Sequence, residues 1–177
     1  MRYLLVLFSS LFTILLSAQS IRPADNGSEI TFSINNFGLS TKGSLSGLTG
    51  SIIWNSLDLT TASFNVSVAA KTINTDNRLR DEHLRKADYF NVEKFSSINI
   101  QSNQITAGTK QGEFNMNATL TIKGVSKKIN FPFSVITQNG KTMFGANFEI
   151  NRRDFGIGGG SISLSNTVKI SLKVMAY

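Results

Sequence analysis

The stretch Phe114-Asn115-Met116-Asn117-Ala118-Thr119-Leu120-Thr121-Ile122 alternates without a break between apolar and polar side chains. A two-residue period places Phe114, Met116, Ala118, Leu120 and Ile122 on one face of a β-strand. Lys123-Gly124 ends it, and Ile129, Phe131, Phe133 and Val135 repeat the pattern. Asn139-Gly140 is a strong hairpin signal, after which Phe144, Ala146, Phe148 and Ile150 form a third one-sided run.

The same reading extends in both directions. Towards the C-terminus, Val168, Ile170, Leu172 and Val174 alternate with Lys169, Ser171 and Lys173. Towards the N-terminus, Ser28 to Phe37 places Ile30, Phe32 and Ile34 on one face. A Gly-flanked strand is predicted over Thr41 to Gly47 and another over Ser51 to Asn55. Ala62 to Ala70 shows Ala62, Phe64, Val66, Val68 and Ala70 on one side, and Ile98 and Ile100 resume the alternation later. About eight strands with turn residues between them predict an antiparallel sandwich or barrel. Several run to nine or more residues, which favours a tall barrel closed on itself. Eight strands give an interior that side chains fill or that holds one small ligand. The 13 phenylalanines serve either purpose, so a filled core and a ligand lumen both remain open.

One segment breaks the alternation. From Thr72 to Phe95, charged residues crowd the middle and the apolar positions Leu79, Leu84, Tyr89 and Phe90 are too widely spaced for a strand. A short helix is predicted, capped by Asp76 or Asn77 and finishing near Ala87, between the fourth and fifth strands. Its apolar residues need a surface to pack on. They predict an ordered cover over the barrel, with Leu84 and Phe90 inward and Arg78, Arg85 and Lys86 in solvent.

The first 18 residues have the pattern of a signal peptide. Arg2 precedes an apolar run from Tyr3 to Leu16, and the small residues Ser17-Ala18 close it. The run is shorter than the ~20 residues a membrane span requires. Cleavage between Ala18 and Gln19 is expected, leaving one domain, residues 19–177, in a periplasmic or secreted location. The chain has no cysteine, so disulfides and thiolate metal sites are excluded. Its net charge of +7 is spread along the sequence rather than clustered. That distribution suits a solvated surface, with an anionic membrane as a candidate partner, and gives no nucleic-acid stripe.

No catalytic constellation emerges. His83 is the single histidine, so no nucleophile–base pair and no metal set forms around it. Gly156-Ile157-Gly158-Gly159-Gly160-Ser161 lacks both the final glycine and a following helix, so it reads as a rim loop rather than a phosphate cradle.

Three blocks carry a family resemblance. The first is Thr72-Ile73-Asn74-Thr75 with Arg80-Asp81-Glu82-His83-Leu84 and Asp88-Tyr89-Phe90-Asn91-Val92. The second is Leu120-Thr121-Ile122-Lys123-Gly124-Val125-Ser126-Lys127. The third is Ile150-Asn151-Arg152-Arg153-Asp154-Phe155-Gly156-Ile157. In order and over the whole span after residue 18, the chain resembles the YceI-like family of bacterial periplasmic proteins. It departs from that pattern at Tyr89, where the family has the first of two phenylalanines, and at Ser96, where it has a proline.

The resemblance implies a lipocalin-like barrel with no enzymatic activity and no cofactor beyond a bound polyprenyl lipid or quinone. The lining expected from the strand faces and the insert is Phe32, Ile34, Phe64, Val66, Leu84, Phe90, Ile100, Phe114, Met116, Leu120, Phe131, Phe133, Phe148 and Ile150. Head-group candidates are Arg78, Arg80, His83 and Arg152. The same lumen suits fatty acids, fatty amides or amphiphilic drugs, and a stress-response module with a filled core is the other alternative. The sequence leaves the oligomeric state open, a dimer included.

Overall fold

The computed structural model describes residues 20–177. The expected signal peptide and its cleavage point at Ala18-Gln19 lie outside them. The described chain forms β1 (Ser20–Ile21), β2 (Pro23–Asn36), β3 (Leu39–Ile53), β4 (Ser63–Asn74), α1 (Arg78–Leu84), β5 (Ser97–Ala107), β6 (Glu113–Ile122), β7 (Val125–Gln138), β8 (Lys141–Asn151), a 3-10 turn (Arg152–Phe155) and β9 (Leu164–Ala176). All pairings are antiparallel, in the order β3-β2-β9-β8-β7-β6-β5-β4. A β3–β4 pairing closes the circuit, and β1 adds two residues to β3. The fold is thus a closed eight-stranded antiparallel barrel with one short helix between β4 and β5.

The strand count agrees with expectation, but one assignment does not. The two strands predicted at Thr41 to Gly47 and Ser51 to Asn55 are a single strand, β3. Its glycines bend the strand without ending it. The register shifts twice between Ser44 and Thr49, and Gly47 and Gly50 have φ of 76° and 117°. At Gly50 a side chain is impossible, because a Cβ would lie 2.0 Å from the carbonyl oxygen of Asn65. The Asp25 carboxylate accepts hydrogen bonds from the amides of Gly47 and Leu48, both at 2.9 Å, and holds the bulge.

Strand direction sorts the connections into two ends. Residues 37–38, 75–96, 123–124 and 152–163 lie at one end, the upper one. Residues 54–62, 108–112 and 139–140 lie at the lower end with both termini of the barrel. At the lower end Trp54 turns inward among Phe64, Phe114, Phe133 and Phe144, with edge-to-face centroid distances of 4.8 to 6.1 Å. Such edge-to-face packing is favourable beyond the area it buries. This plug closes the barrel from below.

The upper end is covered by the insert. The Asn77 side chain caps α1 by accepting from the Arg80 amide at 3.0 Å. The helix stops at Leu84, three residues short of the predicted Ala87. Arg85 is the reason: it does not face solvent as expected. Its Nε and Nη2 donate to the carbonyls of Lys71 and Ile73 on β4, each at 2.9 Å, and this anchor turns the chain back onto the barrel. Leu79 also departs from expectation, being 70% exposed on the outer side of α1.

Candidate functional site

Above the plug the barrel is hollow. A cavity of about 390 Å³ runs from Phe64, Phe133 and Phe144 up to the insert and the 152–163 loop. That volume is in the range of small-molecule sites. Its walls are the inward faces of the strands, and the phenylalanines among them include a stacked pair, Phe131 and Phe148, with centroids 4.4 Å apart. The lower residues Phe64, Met116, Phe131 and Phe133 are buried. Phe32, Ile34, Phe148, Ile150, Val168 and Ile170 also point inward, yet they are only half-buried. An inward-facing apolar side chain that keeps accessible surface faces open space rather than packed atoms.

Of the residues singled out from sequence, the cavity brings together all but two. Phe114 is buried in the plug, edge-on to Trp54, and does not line the cavity. Arg78 points away, its side chain 82% exposed and paired with Glu82 at 2.9 Å. The i,i+4 spacing on α1 favours that pair and keeps Arg78 from the mouth.

The three other head-group candidates, Arg80, His83 and Arg152, do reach the cavity. The Arg80 Nε and Nη2 donate to the hydroxyl and carbonyl oxygens of Thr75, at 2.8 and 2.7 Å. Thr75 is fixed in turn by the buried Asp81, whose carboxylate accepts from the Thr75 amide and hydroxyl. The His83 ring packs on Tyr89 with centroids 4.8 Å apart.

Arg152 is different. It is only 2% exposed, and its guanidinium donates to the carbonyls of Ser165, Ile157, Gly159 and Leu164 and to Oδ1 of Asn166. Those five acceptors match its five N–H donors. Burial lowers its pKa from the ordinary arginine value, Arg153 adds to that, and Tyr89 opposes it. Arg152 therefore works as the clamp of the glycine-rich loop, whose Gly158 amide also donates to the Asp88 carbonyl at 2.8 Å. That loop sits on the rim, as its sequence suggests.

Sequence reasoning missed much of the wall. β9 lines the cavity with Val168, Ile170, Leu172 and Val174, whose alternation was visible. β3 contributes Leu45, Leu48 and Ile52 on faces scrambled by the bulge. Asn36 also lines it, and its signal was a polar residue in register with Ile30, Phe32 and Ile34. No cluster of three or more metal-ligating side chains occurs among the described residues.

A closed antiparallel barrel, plugged below, hollow above and lined by aliphatic and aromatic side chains, defines a lipocalin-like class of proteins. The family can be stated as well. The YceI-like domain model matches residues 21–176, and the chain belongs to that family. A UPF0312 protein of Serratia proteamaculans is 29% identical over 136 residues, covering 72% of this chain and 69% of the relative. A UPF0312 protein of Staphylococcus aureus is 29% identical over 107 residues, 56% of this chain and 59% of the relative.

Among solved structures, BcnA of Burkholderia cenocepacia superposes with a TM-score of 0.82 at 16% identity, covering 88% of this chain and 99% of that one. A polyisoprenoid binding domain from Saccharophagus degradans gives 0.73 at 15% identity, with 88% and 97% covered. The Campylobacter jejuni YCEI protein gives 0.68 at 25% identity, with 76% and 83% covered.

Proposed function

We propose that this is an exported, non-enzymatic binding protein that encloses one long apolar chain of the polyprenyl-lipid or quinone class in its lumen. The observation that carries this reading is the row of inward-facing apolar residues that remain accessible from Phe32 and Ile34 across to Ile150 and Ile170. The shared fold with a polyisoprenoid binding domain supports the ligand class. A guest chain that buries roughly 300 Å² contributes about 7 kcal/mol before the costs of association, so few polar contacts are needed. Export rests on the pattern of residues 1–18.

The mouth supports exchange at a lipid surface. Phe37 on the β2–β3 turn and Leu39 at the start of β3 are 82% and 76% exposed, and Leu79 and Ile162 are exposed at the same end. An anionic membrane fits the chain's positive charge.

Native mass spectrometry of protein purified from its own host tests the reading. A retained mass of isoprenoid chemistry is expected, and a fatty acid or fatty amide mass replaces that ligand class by another. Met116→Trp should fill the lumen and abolish binding of a fluorescent polyene. Equal binding by wild type and variant would remove the lumen from the account.

A further inference from the structure

The polar side chains of the cavity wall are not scattered. Thr31, Ser67 and Asn99 stand on the outward positions of their strands, each between two inward apolar residues. Every other polar side chain of the wall belongs to the upper end, from Asn36 and Thr41 to the insert and Arg152. Among the described residues, no Asp or Glu lines the cavity with them. A guest therefore meets an apolar wall below and a polar end without carboxylates above.

Some of those polar groups are already spent. Oδ1 of Asn36 is buried out of a guest's reach. Thr75 gives its hydroxyl hydrogen to the buried Asp81, and Arg152 uses its five donors on the adjoining loop and β9. Arg80, by contrast, places two of its five N–H groups on Thr75 and keeps the rest. His83 is exposed and Tyr89 half-buried, and neither side chain donates to a protein group among the described residues. Arg80 and His83 are three positions apart on α1, so both sit on the face turned to the cavity, while Arg78 and Glu82 pair away from it. Tyr89 joins that face to the glycine-rich loop. Its ring packs on His83 with centroids 4.8 Å apart, and a Cβ on Gly158 would lie 3.0 Å from both Tyr89 Cε1 and Arg152 Nη1.

We propose, resting on the lumen reading, that Arg80, His83 and Tyr89 form a head-group site at the mouth, and that the guest is an apolar chain ending in a phosphate monoester. Three terminal phosphate oxygens accept from the guanidinium, the imidazole and the phenol together. The guanidinium contact is charge-assisted, roughly twice as strong as a neutral hydrogen bond. An alcohol brings one oxygen and no charge, so it collects only one such bond. The exposure of Arg80 and His83 leaves the outer side of the phosphate in water, and its charge is not buried.

The test compares geranylgeranyl phosphate with geranylgeraniol, each displacing a fluorescent polyene from the purified protein. Wild type is expected to bind the phosphate about tenfold more tightly. Tyr89→Phe keeps the ring against His83 and should weaken the phosphate about fivefold, leaving the alcohol within about twofold. Arg80→Gln should bring the ratio of the two affinities down to about two. The alcohol, measured on the same variant, corrects for any loosening at Thr75. Arg78→Gln removes the same charge from the outer side of α1 and should leave the ratio as in wild type. A wild-type ratio near one overturns the head-group site and leaves the lumen standing. Equal losses in Arg78→Gln and Arg80→Gln do the same, since they assign the preference to general charge. Geranylgeranoic acid bound as tightly as the phosphate overturns the phosphate class. Failure of wild type to bind any of these probes overturns both the site and the lumen.

Discussion

The Trp54 indole stands edge-on to the Phe114 ring, centroids 4.8 Å apart and planes at 86°, and with three further phenylalanines it seals the lower end of the barrel. The lumen therefore has one working end, the one that carries the insert.

Trp54→Ala should cost about 2–4 kcal/mol, less than a fully buried aromatic because Trp54 is only half-buried. Urea unfolding measures it. The cavity left behind extends the lumen downward, so longer guest chains should gain affinity relative to short ones. Equal chain-length preference in wild type and variant would show that the plug sets no limit.

Arg152→Lys should destabilise the protein by about 2–4 kcal/mol, although the charge is kept. Lysine has three donors on a point charge and cannot satisfy five acceptors arranged around a planar fork. Hydrogen exchange at residues 156–166 should accelerate well beyond the change seen in β6 and β7. Uniform acceleration across the barrel would mean that Arg152 does not act as a clamp on that loop.

Leu84 lines the cavity from above and is half-buried. Leu84→Ala should therefore cost about 1–3 kcal/mol, below the range of a fully enclosed leucine. If the insert covers the mouth, release of a bound polyene should quicken more than the loss of stability accounts for. Stopped-flow transfer to empty acceptor measures this, and an unchanged release rate removes the insert from the exit path.

Phe37→Ser with Ile162→Ser should leave equilibrium binding of the polyene unchanged, because neither residue is in the cavity wall. Co-sedimentation with phosphatidylglycerol vesicles should fall several-fold, and transfer to those vesicles should slow. Added salt should weaken the wild-type interaction, as the positive charge of the chain requires. Vesicle binding equal to wild type would place the contact elsewhere on the surface.

The barrel was legible in the sequence because a strand's two faces meet different solvents. Phe114 to Ile122 and Phe144 to Ile150 could bury one face only by alternating, so their pattern is local and readable. Glycines were ambiguous for the same reason: Gly47 and Gly50 look like breaks, and only the Asp25 carboxylate and the close approach of Asn65 show that they are bends within one strand. Asn77 and the segment after it announced a helix, but the anchor of Arg85 on β4 that ends it joins residues 14 and 12 positions apart.

What lines the lumen was set one level higher still. Phe114 and Phe133 are cross-strand partners on one inner face and both pack on Trp54, yet only Phe133 also reaches the cavity. The depth of a residue in a closed barrel depends on strand stagger and on where Trp54 folds in, and neither is a property of the strand itself. Arg78, Arg80 and Arg152 are alike in a sequence, and their different fates follow from partners brought together by the fold. The sequence determined strand faces, the insert and the family. Tertiary structure alone decided which end is closed and which arginine is already satisfied.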